Sequence, residues 1–310
     1  MVKVTQAQLR ARQAWPLEKK IEWSLRRIRI WHDYWEGLVY VSYSGGKDSR
    51  VLLHLVRTHY PDAPAVFCNT GLEFPEIVDV VRNTENKVIL RPEIPFPKVI
   101  EEHGWPVVSK KVAKIIREMR RPKDLNPNTQ RLHRTGITRS GNRSSSWKCP
   151  DKWRFLEHAP FLISEKCCDV MKKDPFKEYQ KRTGRMGFVG TLAADSRMRE
   201  MSYLETGCNS YHGSSQVSRP ISIWNTEDIW RYIKVHDLEY CPVYDMGYTT
   251  TGCLFCAFGA HLEEQPNRFQ RLQMTHPRLW RYCMEKLGLR DVLIYIGIPW
   301  RWKLVPQGSS

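Results

Sequence analysis

The chain has 310 residues, 41% of them hydrophobic, and its 49 Lys and Arg outnumber 33 Asp and Glu to give a formal net charge of +16. No apolar run approaches the roughly 20 residues that cross a bilayer, and Met1–Lys20 is charged with no apolar signal-peptide centre, so membrane-spanning and secreted classes are set aside and a cytoplasmic location is expected. In that setting nine cysteines point to metal ligation or redox chemistry before disulfides.

In chain order, residues 5–36 carry Ile21, Trp23, Leu25, Ile28, Ile30 and Trp31 among many basic positions and read as a helical arm, residues 1–37, packed on the core. Leu38–Tyr43 has the β-branched and aromatic run of a buried parallel strand, and Val51, Leu52, Leu55 and Val56 then recur on one helical face. The loop between them is Ser44-Gly45-Gly46-Lys47-Asp48-Ser49. Its glycines let the main chain approach an anion and Lys47 brings a charge, while the following helix presents its positive end. The spacing is not that of a Walker A motif. Asp48 and Ser49 suit either the orientation of metal and phosphate or the capping of the helix.

A second strand, Ala65–Cys68, runs into Asn69-Thr70-Gly71-Leu72-Glu73-Phe74, and a helix and a third strand at 87–90 follow. This alternation implies an α/β fold with a doubly wound, mainly parallel sheet that binds ligands at the strands' C-terminal ends. Residues 105–154 hold 14 Lys or Arg against 3 Asp or Glu, and 131–146 read as a mobile loop. That segment suits a nucleic-acid backbone or another polyanion, a protein partner, or a merely solvated face. A strand at 187–189 leads to Gly190 and Thr191, and Arg197, Arg199 and Arg219 are candidate phosphate contacts. Thr226 is a plausible N-cap for a helix opening a small C-terminal lobe. The expected domains are the arm, a nucleotide-binding domain at 38–225 with the basic insertion, and a helical cluster-binding lobe at 226–303. His103, His133 and His212 read as surface residues, the aromatic stretch 295–302 as packing or base stacking, and Leu304–Ser310 as a polar end.

Cys167-Cys168 and the Cys253-x-x-Cys256 motif offer four thiolates, the ligand set of either a 4Fe-4S cluster or a structural zinc. Adjacent cysteines are awkward around one zinc ion, whereas a cubane takes ligands on neighbouring irons, and this favours the cluster. Cys149 and Cys241 read as packing residues, further metal ligands or sulfur-handling thiols, and Cys68, Cys208 and Cys283 as structural.

These residues together resemble the phosphoadenosine phosphosulfate reductase family of the PP-loop superfamily, which includes sulfonucleotide reductases and DNA phosphorothioation enzymes. Ser44–Ser49 is similar to its PP-loop and Asn69–Glu76 to its nucleotide-contacting loop. Arg219–Trp224, Asp228–Ile233, Pro242–Tyr244, Gly247-Tyr248 and Gly252-Cys253 complete the pattern. Cys167, Cys168, Lys172, Cys253 and Cys256 look like the cluster signature of the iron–sulfur adenosine phosphosulfate reductases. The resemblance implies ATP and Mg2+ at a site formed by Ser44, Gly45, Gly46, Lys47, Ser49, Asn69, Thr70, Gly71, Gly190, Thr191, Arg197, Arg199 and Arg219. Lys47 and Asp48 would be its catalytic residues, and the four cysteines would hold 4Fe-4S. The C-terminal cysteine of the reductases has no counterpart after Cys283, and Leu192 and Asp195 depart from the common arginine and glutamate. The expected activity is therefore ATP cleavage between the α- and β-phosphates with sulfur transfer to nucleic acid. The alternatives are sulfonucleotide reduction with an external thiol, and a nucleotide-binding subunit of a modification or defence complex working with a cysteine desulfurase.

Overall fold

The computed structural model describes residues 3–121, 126–211 and 216–302. Part of the basic segment (122–125), His212 and the Leu304–Ser310 tail lie outside them. Eight strands form among the described residues: β1 (Val39–Ser42), β2 (Ala65–Cys68), β3 (Lys87–Leu90), β4 (Val107–Val108), β5 (Met186–Val189), β6 (Asn209–Ser210), β7 (Val217–Ser218) and β8 (Ala257–Phe258). The chain divides into two compact units, one of Met1–Asn69, Glu73–Arg91 and Pro175–Thr251, the other of Thr70–Leu72, Pro92–Asp174 and Gly252–Ser310. No described helix is long and apolar enough to cross a membrane.

The first unit is built on a six-stranded sheet of order β3-β2-β1-β5-β7-β6. All its pairings are parallel except β6 with β7, so the fold is the doubly wound, mainly parallel α/β sheet expected. Val39, Tyr40 and Val41 are buried because β1 is central, paired with β2 on one side and β5 on the other. The chain winds outward from β1 in both directions, and the loops leaving β1 and β5 flank the switch point where such sheets take ligands.

The N-terminal arm is two helices, Gln6–Gln13 and Leu17–Tyr34, interrupted at Pro16, which lacks an N–H to continue the first. The second buries Ile28 and Trp31 together with Lys20, whose Nζ lies 2.5 Å from the Asp228 carboxylate. Asp228 also accepts from the Asn225 amide at 2.9 Å. The N-cap of the Thr226–Val235 helix is thus Asn225, which accepts from the Asp228 amide, and Thr226 is its first helical residue, one position from the expectation.

In the second unit β4 and β8 pair in parallel. The Lys110–Met119 helix buries Val112, Ala113, Ile115, Ile116 and Met119 and leaves Lys110 and Lys111 exposed. Residues 131–146 are not a featureless loop. The Pro127–Thr135 helix is capped by Asn126 and ends at left-handed Gly136, and a turn then closes through an Ile137–Arg143 bridge. His133 is not at the surface either: it is 2% exposed and bonded to Glu118 at 2.7 Å and to the Trp147 carbonyl at 2.8 Å.

Candidate functional site

The loop leaving β1 is held shut by its own side chains. The Ser49 hydroxyl donates to the Gly46 carbonyl at 2.9 Å and accepts from the Ser44 amide at 3.1 Å, so residue 49 fixes the path of residues 44–46. Gly45 has φ +72, the left-handed region, and a Cβ there would sit 3.1 Å from Ile77 Cγ2. A Cβ on Gly46 would come within 2.5 Å of the Thr251 hydroxyl. Two glycines are required for two different reasons, one conformational and one spatial.

The Lys47–Arg57 helix starts directly from this loop with Gly46 at its N-cap and no side-chain cap. Its first amides therefore carry the partial positive charge that suits a phosphate. The Lys47 amide donates to the Tyr244 hydroxyl at 2.9 Å, and Tyr244 is hydrogen-bonded to Thr251 as well. Burial pushes the Tyr244 hydroxyl up to about 12, so it remains a neutral hydrogen-bonding group beside the loop at any physiological pH. Sequence reading placed Tyr244 in the family pattern without a contact and left Thr251 without a role: both stand some two hundred residues along the chain from the loop, so their place beside it exists only in the fold.

Lys47 is buried, and its Nζ lies 2.9 Å from Asp48 Oδ1. Burial raises the Asp48 carboxyl above its ordinary range; Lys47 opposes this, Asp195 adds to the rise and Arg199 opposes it. Asp48 is thus within electrostatic reach of the β5 loop. Gly190 makes that approach close, since a Cβ there would sit 3.0 Å from the Asp48 carbonyl oxygen. Thr191 follows, its amide donating to the Val189 carbonyl at 3.1 Å.

The candidate arginines divide. Arg199, in the first turn of the Arg197–Thr206 helix, is paired with Asp195 just ahead of it, whereas Arg197 is exposed. Arg219 leaves β7 with its amide bonded to the Cys208 carbonyl at 2.7 Å. Burial draws its guanidinium pKa down, and the neighbouring Cys208 opposes this. Asn69 follows β2, its amide bonded to the Leu90 carbonyl at 2.9 Å, while Thr70 and exposed Gly71 belong to the second unit.

Within the second unit the fold gathers the four cysteines. Cys167 and Cys168 precede Asp169–Lys173, a stretch of wider π-helical bonding of the kind that frequently marks functional sites. Cys253 and Cys256 lie on a turn closed by the Cys256 amide and the Cys253 carbonyl, which the Leu254–Leu72 bond (2.9 Å) and the Arg268–Cys256 carbonyl bond (2.9 Å) anchor. All four line one small pocket of about 20 Å³ with Phe96 and Lys172.

Burial, followed by the neighbouring Cys168, Cys253 and Cys256, drives the Cys167 thiol far above its ordinary value, and Lys172 opposes this. Burial and Cys253 push Cys256 up to about 11. Four thiolates become compatible here only around a positive centre. No three His, Cys, Asp or Glu side chains among the described residues stand where one ion could be shared. Zinc would draw four sulfurs to about 3.8 Å from one another. Four cysteines lining one pocket are also the ligand set of a multi-iron cluster. Cys149 and Cys241 are buried and their thiols are raised by burial, as suits packing residues.

Comparison with known proteins identifies the family. The domain family described as phosphoadenosine phosphosulfate reductase matches residues 38–148 and 128–258. An uncharacterized protein of Methanocaldococcus jannaschii is 26% identical over 94% of the chain, which spans 58% of that relative's length. The adenosine 5'-phosphosulfate reductase of Anoxybacillus flavithermus is 24% identical over 66% of the chain and 77% of its own. Among solved structures, the phosphoadenylyl-sulfate reductase of Candida auris, a phosphate complex, aligns with a TM-score of 0.45 at 15% identity, covering 81% of this chain and 97% of its own.

Proposed function

The chain belongs to the phosphoadenosine phosphosulfate reductase family, and we propose that it is an ATP pyrophosphatase of that family which adenylates an acceptor on nucleic acid for sulfur transfer. The observation that carries the nucleotide half is the loop of Ser44–Ser49, with its buried Lys47, at the switch point of the sheet. Backbone amides and the helix N-terminus would hold the β- and γ-phosphates, Lys47 would offset charge developing on the departing pyrophosphate, and Asp48 would take Mg2+. Arg219 supplies a further cation to the α-phosphate side. An acceptor oxygen attacks the α-phosphorus, the bond to the bridging oxygen breaks, and pyrophosphate leaves. Hydrosulfide then displaces AMP from the adenylated acceptor, leaving sulfur where oxygen was.

Cys167, Cys168, Cys253 and Cys256 would hold a 4Fe-4S cluster, which when bound supplies an iron site for sulfur. The nucleic-acid half is supported by the exposed face of the second unit, where Trp147 is 41% exposed and Lys111 and Lys114 lie 5.6 and 5.4 Å from its ring. The test is release of pyrophosphate from ATP by anaerobically purified protein with sulfide and RNA or DNA. Lys47→Ala abolishes that release, and ADP with orthophosphate as the only products overturns the proposal. Relatives named adenosine 5'-phosphosulfate reductase favour a second reading, reduction of adenylyl sulfate by an external thiol. Sulfite release from that substrate, with none of pyrophosphate from ATP, would establish it instead.

A further inference from the structure

Three amides of the nucleotide loop end on hydroxyl oxygens. Those of Ser44 and Gly46 donate to Ser49 and Ser44, at 3.1 and 3.4 Å, within the loop itself. The Lys47 amide, the first of its helix, donates instead at 2.9 Å to Tyr244, 197 positions further along the chain and in the same unit. The tyrosine ends the Pro242–Tyr244 turn, which is anchored by fully buried Cys241 and Val243. Trp230 meets its ring edge-on at 5.3 Å, and Thr251 shares a hydrogen bond with its hydroxyl. A Cβ on Gly46 would come within 3.1 Å of that hydroxyl oxygen, so the hydroxyl lies directly against the loop's main chain.

The first amides of a helix are the donors that a bound phosphate uses, and an amide hydrogen serves one good acceptor at a time. We propose that Tyr244 is a displaceable cap on the nucleotide loop, its hydroxyl competing with a phosphate oxygen for the Lys47 amide. The inference rests on the nucleotide reading of the proposed function and deepens it. Burial keeps the tyrosine protonated, and an amide bonds an oxyanion more strongly than a neutral hydroxyl, so an incoming phosphate wins the exchange. It does so at the cost of the tyrosine's bond, and its apparent affinity is lowered by the fraction of loops that stand uncapped. The same cost favours product release, because the hydroxyl returns to the amide as pyrophosphate leaves. Tyr244 is half-buried and Asp245, Met246 and Gly247 after it are exposed, so its retreat does not require the core to open.

Titration calorimetry of the full iron-loaded chain tests this with magnesium pyrophosphate, and with ATP carrying a methylene bridge between its α- and β-phosphates. Tyr244→Phe keeps the ring and its packing on Trp230 but removes the hydroxyl. It tightens binding of both ligands about fivefold, the scale of one net hydrogen bond. Thr251→Val removes the hydroxyl's other partner, loosens the cap and shifts the affinities in the same direction. A variant that merely mispacked the loop would bind more weakly, so a gain in affinity separates competition from a structural role. If the wild type binds both ligands and neither variant binds them more tightly, this inference falls while the nucleotide reading stands. If the wild type binds neither ligand, both fall.

Discussion

The substitution Gly104→Ala tests how the second unit is held together. Gly104 has φ +100, and a Cβ there would stand 2.2 Å from the Leu162 carbonyl carbon, 2.4 Å from its oxygen and 2.5 Å from the Ile163 nitrogen. These are main-chain atoms, so no rotamer change relieves the overlap. The Leu162–Ile163 peptide must move away, which breaks the Trp105–Leu162 and Ser164–Trp105 backbone bonds of 2.8 and 3.2 Å. Gly141, in the same unit, supplies the control: its φ is +83, but a Cβ there would meet nothing within 4 Å. Both substitutions carry the left-handed strain of about 1–2 kcal/mol. Only Gly104→Ala adds two lost hydrogen bonds of about 0.5–1.5 kcal/mol each, for a total of about 2–5 kcal/mol. The segment displaced runs into Cys167, so iron content falls along with stability. Urea unfolding of both variants, with iron analysis of the purified proteins, is the assay. Equal destabilisation by the two alanines would refute the steric argument.

Asp228→Ala strands the buried Lys20 ammonium and removes one of the two bonds of the capping box, and is expected to cost about 3–5 kcal/mol in denaturant unfolding; a loss below 1 kcal/mol would contradict this. Asp48 has a folded pKa raised above its unfolded value of 3.8, so its contribution to stability is full below that pH and is lost as pH rises through the folded value. Asp48→Asn therefore gains stability relative to wild type as pH climbs through that window, and parallel stability–pH curves for the two proteins would refute the assignment. Cys167→Ala abolishes both bound iron and visible absorption, whereas a colourless wild type containing zinc would refute the cluster. Binding of single-stranded nucleic acid weakens with salt, and neutralising Lys111, Arg131 and Arg143 together lowers the slope of log K against log salt by about 2. An unchanged slope removes this face as the contact surface.

Local patterns carried most of the first unit. β2 and β3 lie where their apolar runs begin and end, and the glycine-rich loop stands between strand and helix because strand, turn and helix signals all agree there. β6 and β7, two residues each, were illegible because a strand that short has no periodicity and exists only through pairing, β7 with β5 and β6 with β7. The helix at Pro127–Thr135 was hidden by its charge: Arg131 and Arg134 look like solvated loop, although Asn126, Pro127 and Gly136 supply both of its boundary signals. Burial of His133 depended on Glu118, fifteen residues away on another helix, and spacing could not reveal it. At the nucleotide loop the glycines and lysine were legible, but the contact of Tyr244 with the Lys47 amide spans 197 positions and exists only in the fold.

The basic insertion also has work inside the protein that composition alone conceals. Arg117 grips Glu165 through two bonds of 3.0 and 2.7 Å, and Arg120 donates to the Phe161 and Ala159 carbonyls at 2.6 and 3.2 Å. Arg134 does the same for Glu157. Cations spent on internal carboxylates contribute little to the outward field, because each partner cancels its charge at a distance. The segment's outward charge comes instead from side chains such as Lys110, Lys111, Arg131, Arg139 and Arg143, which are exposed. Arg117 and Arg120 bind residues 159–165, and Cys167 follows two positions later. The Lys110–Met119 helix therefore positions the segment leading to the cysteine pair with one set of side chains and offers lysines to solvent with another. The exposed lysines thus stand on the same helix whose arginines hold residues 159–165, the segment that leads to Cys167.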